Sequence, residues 1–443
     1  MRTPESHEDN DRTSSSQLWP HTLTKVPGFT CKGIMSVKGL SKVIRGSECF
    51  FKHASLNLTR QKRSFASSPV CQRVGNVPSF SPTSSPELDA LLSKYRKNLF
   101  LPSHLSEYDQ QLVYGDRHAQ SLLTEPVKVQ IGEEEFVLEH INRLKDIPST
   151  VKGFRQILNL MTEPKDWDNL PNLLEGLHDC KRTLSGPLSC QMIRRAGLLG
   201  RMDTVIESAR RVHYTGFSLR DEEVVMQIMY WIQHKAQISG FEEKETKQAL
   251  AWAETVVDLL EDPKHAGHKG QLLVEGANDV RALPEVIGIL LQLAAVRAVK
   301  HTDGKDVDGK VVTYTTRLLG TRYDLSTSLL NMKRPEIRIY SKADPLNSEV
   351  ANQTKTDGTD YSTKEIQSKT LRAKNHWLVA AVPVLHGMKA AQKVFGPDTI
   401  ASAKLKENIP RLEKRVNRYA TELKVASAGN LGVRTYTSLF GSA

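Results

Sequence analysis

From about residue 150 onward, apolar residues recur every three or four positions, the spacing that gathers them on one face of a helix. Segments 151–162, 167–180, 188–199, 202–214, 219–236 and 243–261 each carry such a stripe with polar residues opposite, and short Gly, Pro or Asp breaks separate them. Helices joined by short links predict antiparallel helix pairs, as a bundle or an α-solenoid. Upstream, Leu88, Leu91, Leu92 and Tyr95 predict a helix that begins after Ser85-Pro86. Segment 127–138 follows a different period. It alternates at Val127, Val129 and Ile131, turns near Gly132 and resumes at Phe136, which predicts a small hairpin capping the N-terminal end of the helical array. Segments 283–299 and 377–391 are apolar nearly all round and read as buried helices. Neither offers the roughly 18 uninterrupted apolar residues of a bilayer span; Glu285, Gln292 and Arg297 interrupt one, Pro383 and His386 the other. No transmembrane span is expected. The predicted fold class is all-α: an irregular helical-repeat (α-solenoid-like) array with a small N-terminal β-hairpin.

A period links two of the helix pairs. Asp168 and Asp203 lie 35 residues apart, each at a predicted helix start. At that offset Leu174 falls on Ala209, Leu177 on Val212, Leu184 on Leu219, Cys190 on Val225 and Ile193 on Ile228. Gly200, Met202, Asp203, Val205, Ile206, Ala209, Val212 and Gly216 make this unit resemble a pentatricopeptide repeat, over about residues 168–237. The chain departs from that family at Phe217-Ser218-Leu219, where Pro-Asp is usual, and the later helices lose the period. The resemblance implies a degenerate repeat scaffold serving organelle gene expression.

The charge pattern changes the picture at both ends. Residues 35–65 hold seven Lys/Arg against the single acid Glu48, with hydroxyl and apolar residues between them. This is the composition of a mitochondrial transit peptide. Arg63, Phe65 and Ala66 suit matrix processing before Ala66. Glu5, Glu8, Asp9 and Asp11 do not suit such a signal, so the expected start is Met35, with 1–34 an extension. Of the formal net charge of +11, residues 1–65 carry +6 and residues 369–434 carry +9, which leaves the body mildly acidic. The expected organisation is a transit segment over 1–65, a disordered linker over 66–86 and a helical-repeat body over 87–340. A polar linker over 341–370, basic helices over 371–426 and an irregular tail over 427–443 follow.

Candidate chemistry is sparse. The chain has no phosphate-binding glycine loop, no dinucleotide fingerprint, no H-E-x-x-H and no G-x-S-x-G, so a non-catalytic protein without cofactor or metal is expected. His265 and His268 read as members of a solvated loop, and Cys71, Cys180 and Cys190 as free thiols. What remains is basic. Arg194 and Arg195, then Arg210 and Arg211, occupy corresponding places in successive helices, where a repeat protein presents cations to RNA phosphates. Arg411, Lys414, Arg415 and Arg418 form a basic face beside the stripe Leu405, Leu412, Val416, Tyr419 and Leu423. Such a helix suits RNA, an acidic protein or anionic inner-membrane lipid. The expected partner is mitochondrial RNA or the mitochondrial ribosome, in the matrix. The alternative is a respiratory-complex subunit, with the chain as an assembly factor peripheral to the inner membrane. N-terminal mapping of the protein from purified mitochondria is expected to find Ala66; peptides recovered from residues 1–30 would overturn the start at Met35.

Overall fold

The computed structural model describes residues 76–265, 280–320, 362–396, 399–426 and 429–441. The expected transit segment, with Arg63, Phe65 and Ala66, lies outside them, as do residues 66–75 and 341–361 of the two expected linkers. All described residues fall within one unit, Phe65–Ala443.

The chain enters as an extended strap rather than the expected disordered linker. Val77 is buried, and the backbone of 79–84 is held by three side chains at the start of the helical body. Ser81 N–H donates to Asn169 Oδ1 at 2.8 Å, and Asn169 Nδ2 returns a bond to Ser81 O at 3.0 Å. Ser84 donates to both oxygens of Asp166 through its N–H and its hydroxyl, each at 2.8 Å. Asn172 Nδ2 reaches Ser79 O. Asp166 and Asn169 are fully buried, so these bonds satisfy groups that would otherwise be costly to desolvate. The Ser- and Pro-rich composition carried no trace of them.

Helix α1 (Pro86–Tyr95) has Pro at its first position and Glu87 and Asp89 in its first turn, where the helix dipole favours them. It runs through one wide turn, Arg96–Phe100, into α2 (Leu101–His104). The short helices α3 (Glu107–Tyr114) and α4 (Ala119–Thr124) follow. Strands β1 (Lys128–Ile131) and β2 (Glu134–Val137) pair antiparallel with Val129 opposite Phe136. They form the predicted hairpin, fastened to the end of α1 by Arg96, which pairs with Glu134 at 2.5 Å and lies over the Phe136 ring.

The body is a run of helix pairs. Its helices are α5 (Thr150–Leu160), α6 (Leu170–Asp179), α7 (Gly186–Leu198), α8 (Met202–Arg210), the one-turn α9 (Val212–Thr215), α10 (Glu222–Ile238), α11 (Glu243–Leu259) and α12 (Pro284–His301). Helices α6, α8 and α11 stack as one row; α7, α10 and α12 stack as the other. This is the arrangement of a solenoid, and the 35-residue offset marks its first step. Of the ten residues matched at that offset, all but Leu184 are buried. Asp166 and Trp167 sit in the 3-10 turn (Pro164–Asn169) that leads into α6, both fully buried.

Helix α13 (Lys310–Gly320) closes against α12. Helix α14 (Thr363–Val394) starts eight residues before its expected position, inside the expected polar linker. The cause is a capping box: Ser362 Oγ accepts from Glu365 N–H, while the Glu365 carboxylate accepts from Ser362 N–H and hydroxyl. Helix α15 (Ile400–Ala426) matches the expected basic helix, with Leu405, Leu412, Val416, Tyr419 and Leu423 all buried. The expected irregular tail holds instead α16 (Leu431–Phe440), docked on α14 through Gly432 N–H to Asn375 Oδ1 and through Val433.

The centre of the structure is the crossing of α12 and α14. Fourteen of the eighteen residues of α12 are buried, Glu285 and Gln292 among them. Glycines on both helices bring the backbones together: a Cβ on Gly387 would lie 2.8 Å from the Gln292 backbone, and one on Gly288 would lie 2.5 Å from Val384 Cγ2. Gln292 Nε2 donates to His386 Nδ1 at 3.0 Å, and the His386 ring stacks on Phe241 and meets Phe440 edge-on. Burial, reinforced by the charges of Lys300, Lys393 and Lys389, pushes the His386 pKa down to about 4, so the ring is neutral at neutral pH and Nδ1 is free to accept. Gly387→Ala is expected to destabilise the fold by about 1–3 kcal/mol, the usual cost of forcing a methyl into a packed contact. An exposed control, Gly396→Ala, has open space around its Cβ and is expected to leave the thermal unfolding midpoint unchanged.

Candidate functional site

The basic residues singled out in the sequence separate into two groups with different surroundings. Arg194 and Arg195 are exposed near the end of α7; Arg210 is exposed and Arg211 half-buried at the end of α8. Two of these four reach back to the preceding helix pair. Arg195 Nη2 donates to Asn159 Oδ1 of α5 at 2.8 Å, and Arg211 Nη2 pairs with Glu175 of α6 at 2.9 Å. Arg210 lies 3.9 Å from Glu207 one turn earlier. Each of the two inter-helix bonds spans 36 residues, within one residue of the 35-residue offset, and they tie neighbouring units together.

Arg201, which the basic pattern of the sequence does not single out, does this job most fully. Its guanidinium takes Asp203 through Nε and Nη2 at 3.1 Å each, Asp168 through Nη2 at 2.6 Å, and the Pro164 carbonyl through Nη1. Asp168 and Asp203, which defined the 35-residue offset, are therefore joined through one arginine. Burial disfavours the Arg201 charge, but the hydrogen bonds and charges of Asp203 and Asp168 outweigh it and hold the guanidinium more firmly protonated than usual. A cation flanked by carboxylates 33 residues upstream and two downstream was visible in the sequence as a pattern; only the fold shows that they meet.

The second group lies on α15. Arg411 pairs with Glu407 at 2.9 Å, and Arg418 with Glu422 at 3.0 Å. Lys414 is exposed and Arg415 half-buried. Glu422 also accepts from Lys374 of α14 at 2.6 Å, and Glu413 from Lys389 at 2.5 Å. Burial raises the Glu422 pKa, but Lys374 and Arg418 together carry it below the usual carboxylate range. The basic face is real but partly neutralised by its own helix. Helix α15 packs chiefly on α14, α13 and α16 rather than on α7 or α8, so the two arginine groups belong to different parts of the array.

A third basic feature emerges only in the structure. A cleft of about 550 Å³ lies where the α6–α7 connection meets the α9–α10 connection. Arg182, Arg220, Lys264, His178 and His213 line it, with Leu174, Leu177, Val212 and Phe217 as its apolar part. Arg182 Nη1 is fixed by Pro148 O at 3.0 Å and Thr150 Oγ1 at 2.9 Å, and Arg220 Nε by Lys264 O at 3.2 Å. His265 sits behind this wall. It is buried rather than solvated, because its Nδ1 accepts the Leu219 N–H at 2.9 Å; burial holds its pKa below the ordinary value and the ring neutral. His268 lies outside the described residues.

Among the described residues no group of three His, Cys, Asp or Glu side chains is placed to hold a metal ion, and no helix is long and apolar enough to cross a membrane. Cys180 and Cys190 are free thiols; Cys180 donates to Leu99 O, and burial pushes its pKa up. Cys71 lies outside the described residues.

The family model for mitochondrial ribosomal protein mS27 matches residues 63–438. The chain is also 34% identical to the small ribosomal subunit protein mS27 of Neurospora crassa over 246 residues, 54% of this chain and 62% of that protein. The match thus spans less than two thirds of that relative's length.

Arg201→Gln is expected to cost about 1 kcal/mol, the scale of an ion pair with partly exposed carboxylates, and less at high salt. Arg201→Lys is expected to recover only a part, because an ammonium cannot reproduce the two-pronged contact with Asp203. Chemical denaturation at low and high ionic strength checks both.

Proposed function

Because the chain belongs to the mitochondrial ribosomal protein mS27 family, we propose that it is a non-catalytic component of the small subunit of the mitochondrial ribosome. The single observation that carries this is the family match, which runs from residue 63 to residue 438 and so takes in all but the last three described residues. The architecture agrees with it. An array of stacked helix pairs offers a long surface for its mass, which suits a protein that bridges neighbours rather than one that encloses a substrate. The degenerate repeat serves as scaffold: its inter-unit contacts through Arg195, Arg201 and Arg211 stiffen the array. The exposed cations Arg194 and Lys414, with Arg210 and Arg411 beside carboxylates of their own helices, face outward to meet ribosomal RNA or acidic neighbours.

The same reading places the protein in the mitochondrial matrix. The family match starts at residue 63, three residues ahead of the expected mature start at Ala66, which supports a removable import segment before it. The alternative of a respiratory-complex assembly factor draws no support from the match, and peripheral attachment to the inner membrane has none from the structure.

In a density gradient of detergent-solubilised mitochondria, the protein is expected to co-migrate with small-subunit ribosomal RNA and to remain there at moderate salt. Migration with respiratory complexes, or at the top of the gradient, would overturn the proposal.

A further inference from the structure

The cleft between the α6–α7 and α9–α10 connections differs from the basic groups on α7, α8 and α15 in how its charges are treated. On α15, Arg411 and Arg418 each face a carboxylate of their own helix. At the ends of α7 and α8, Arg195 and Arg211 are spent on neighbouring helices. In the cleft, Arg182, Arg220 and Lys264 meet with His178 and His213, and no Asp or Glu is among the described residues that line it. The nearby carboxylate Asp262 lies 3.8 Å from His213 Nε2 and accepts the Lys264 N–H through Oδ1.

The cations are also positioned in advance. Among the described residues Arg182 is anchored through Nη1 alone, to a carbonyl and a hydroxyl. Among the same residues Arg220 is anchored through Nε alone, to the Lys264 carbonyl, so one bond holds two cationic residues together. A guanidinium makes five N–H bonds in a fixed fork, so both arginines keep donors for an anionic ligand without having to be ordered at the moment of binding. Buried His265 fastens this wall to the α9–α10 connection through Leu219. The apolar side chains Leu174, Leu177, Val212 and Phe217, themselves mostly buried, also line the cleft.

We propose that this cleft takes one nucleotide of a single-stranded RNA segment, with its phosphates on Arg182, Arg220 and Lys264 and its base against the apolar part of the lining. Cations alone would serve any polyanion. Cations and apolar side chains lining one recess of about 550 Å³ suit a splayed-out base carrying a phosphate, the form in which single-stranded RNA presents itself. A double helix is too wide for such a recess and would meet only its rim. The inference rests on the ribosomal reading above and deepens it by naming where RNA is held.

The test uses the full 443-residue chain and fluorescent twelve-nucleotide oligo(U) and oligo(A), followed by anisotropy. Arg220→Glu with Lys264→Glu is expected to weaken binding at least tenfold and to flatten the log–log salt dependence by about 1.4, the share of two phosphate contacts on a single strand. Lys152→Glu, an exposed charge reversal on α5, is expected to stay within twofold of the parent. Lys264→Glu alone leaves the Arg220 anchor to the backbone intact and serves if the double variant unfolds. Crosslinking with 4-thiouridine oligonucleotides is expected to label peptides from 178–184 or 212–220. Unchanged binding by both variants, or crosslinks confined to α15, would overturn the proposal. So would competition by polyglutamate as effective as RNA, which would make the cleft an acidic-protein site, or by free AMP at the same concentration, which would make it a mononucleotide site. The gradient experiment above separates the two levels: a chain that migrates with the small subunit while its cleft binds no RNA refutes this inference alone.

Discussion

The close approach of α12 and α14 is the constraint on which the rest of the array depends. Helix α12 is apolar around nearly its whole circumference, and a helix of that kind is stable in water only when enclosed. Helices α10 and α11 cover it from one side, α13 and α14 from the others. The distance between α12 and α14 is set by Gly288 and Gly387, and their polar register by the Gln292–His386 bond. Helix α14 in turn carries α15 and α16, so the placement of the basic C-terminal helices follows from two missing side chains in the core.

The N-terminal half is organised by a different principle. There the repeat units are smaller, and polar bonds that reach one unit back supplement apolar stacking. Arg195 to Asn159, Arg201 to Asp168 and Arg211 to Glu175 are variations of one contact. Individually such partly exposed pairs add little stability. Their value is geometric, since each fixes the rotation of one unit on the next and hence the path of the surface that the array presents.

Much of this was legible in the sequence, and the failures have physical causes. Helical periodicity located nearly every helix from α5 to α12, and alternation located the hairpin, because both signals come from which side of an element is buried. The 35-residue offset found the first step of the solenoid for the same reason. Composition misled wherever order comes from polar bonds. The strap at 76–85 reads as unstructured, yet it is held by Asp166, Asn169 and Asn172, about ninety residues away in the chain. The start of α14 was hidden inside a polar stretch, although Ser362 and Glu365 carry a capping signature that a stricter reading would have caught. The cleft could not have been read at all. Its cations come from three separate connections, and what distinguishes them from ordinary surface charge is the lack of a lining carboxylate among the described residues, a property of space and not of order along the chain.

The strap also sets an order of events. A polypeptide that emerges N-terminus first exposes residues 79–84 long before residues 166–172 exist to receive them, so this segment stays unpaired while nearly ninety further residues are delivered. The receiving groups Asp166 and Asn169 sit in the 3-10 turn that leads into α6, so the strap has no partners until that stretch of chain has been delivered. The first residues of the body to arrive therefore wait on residues that come much later.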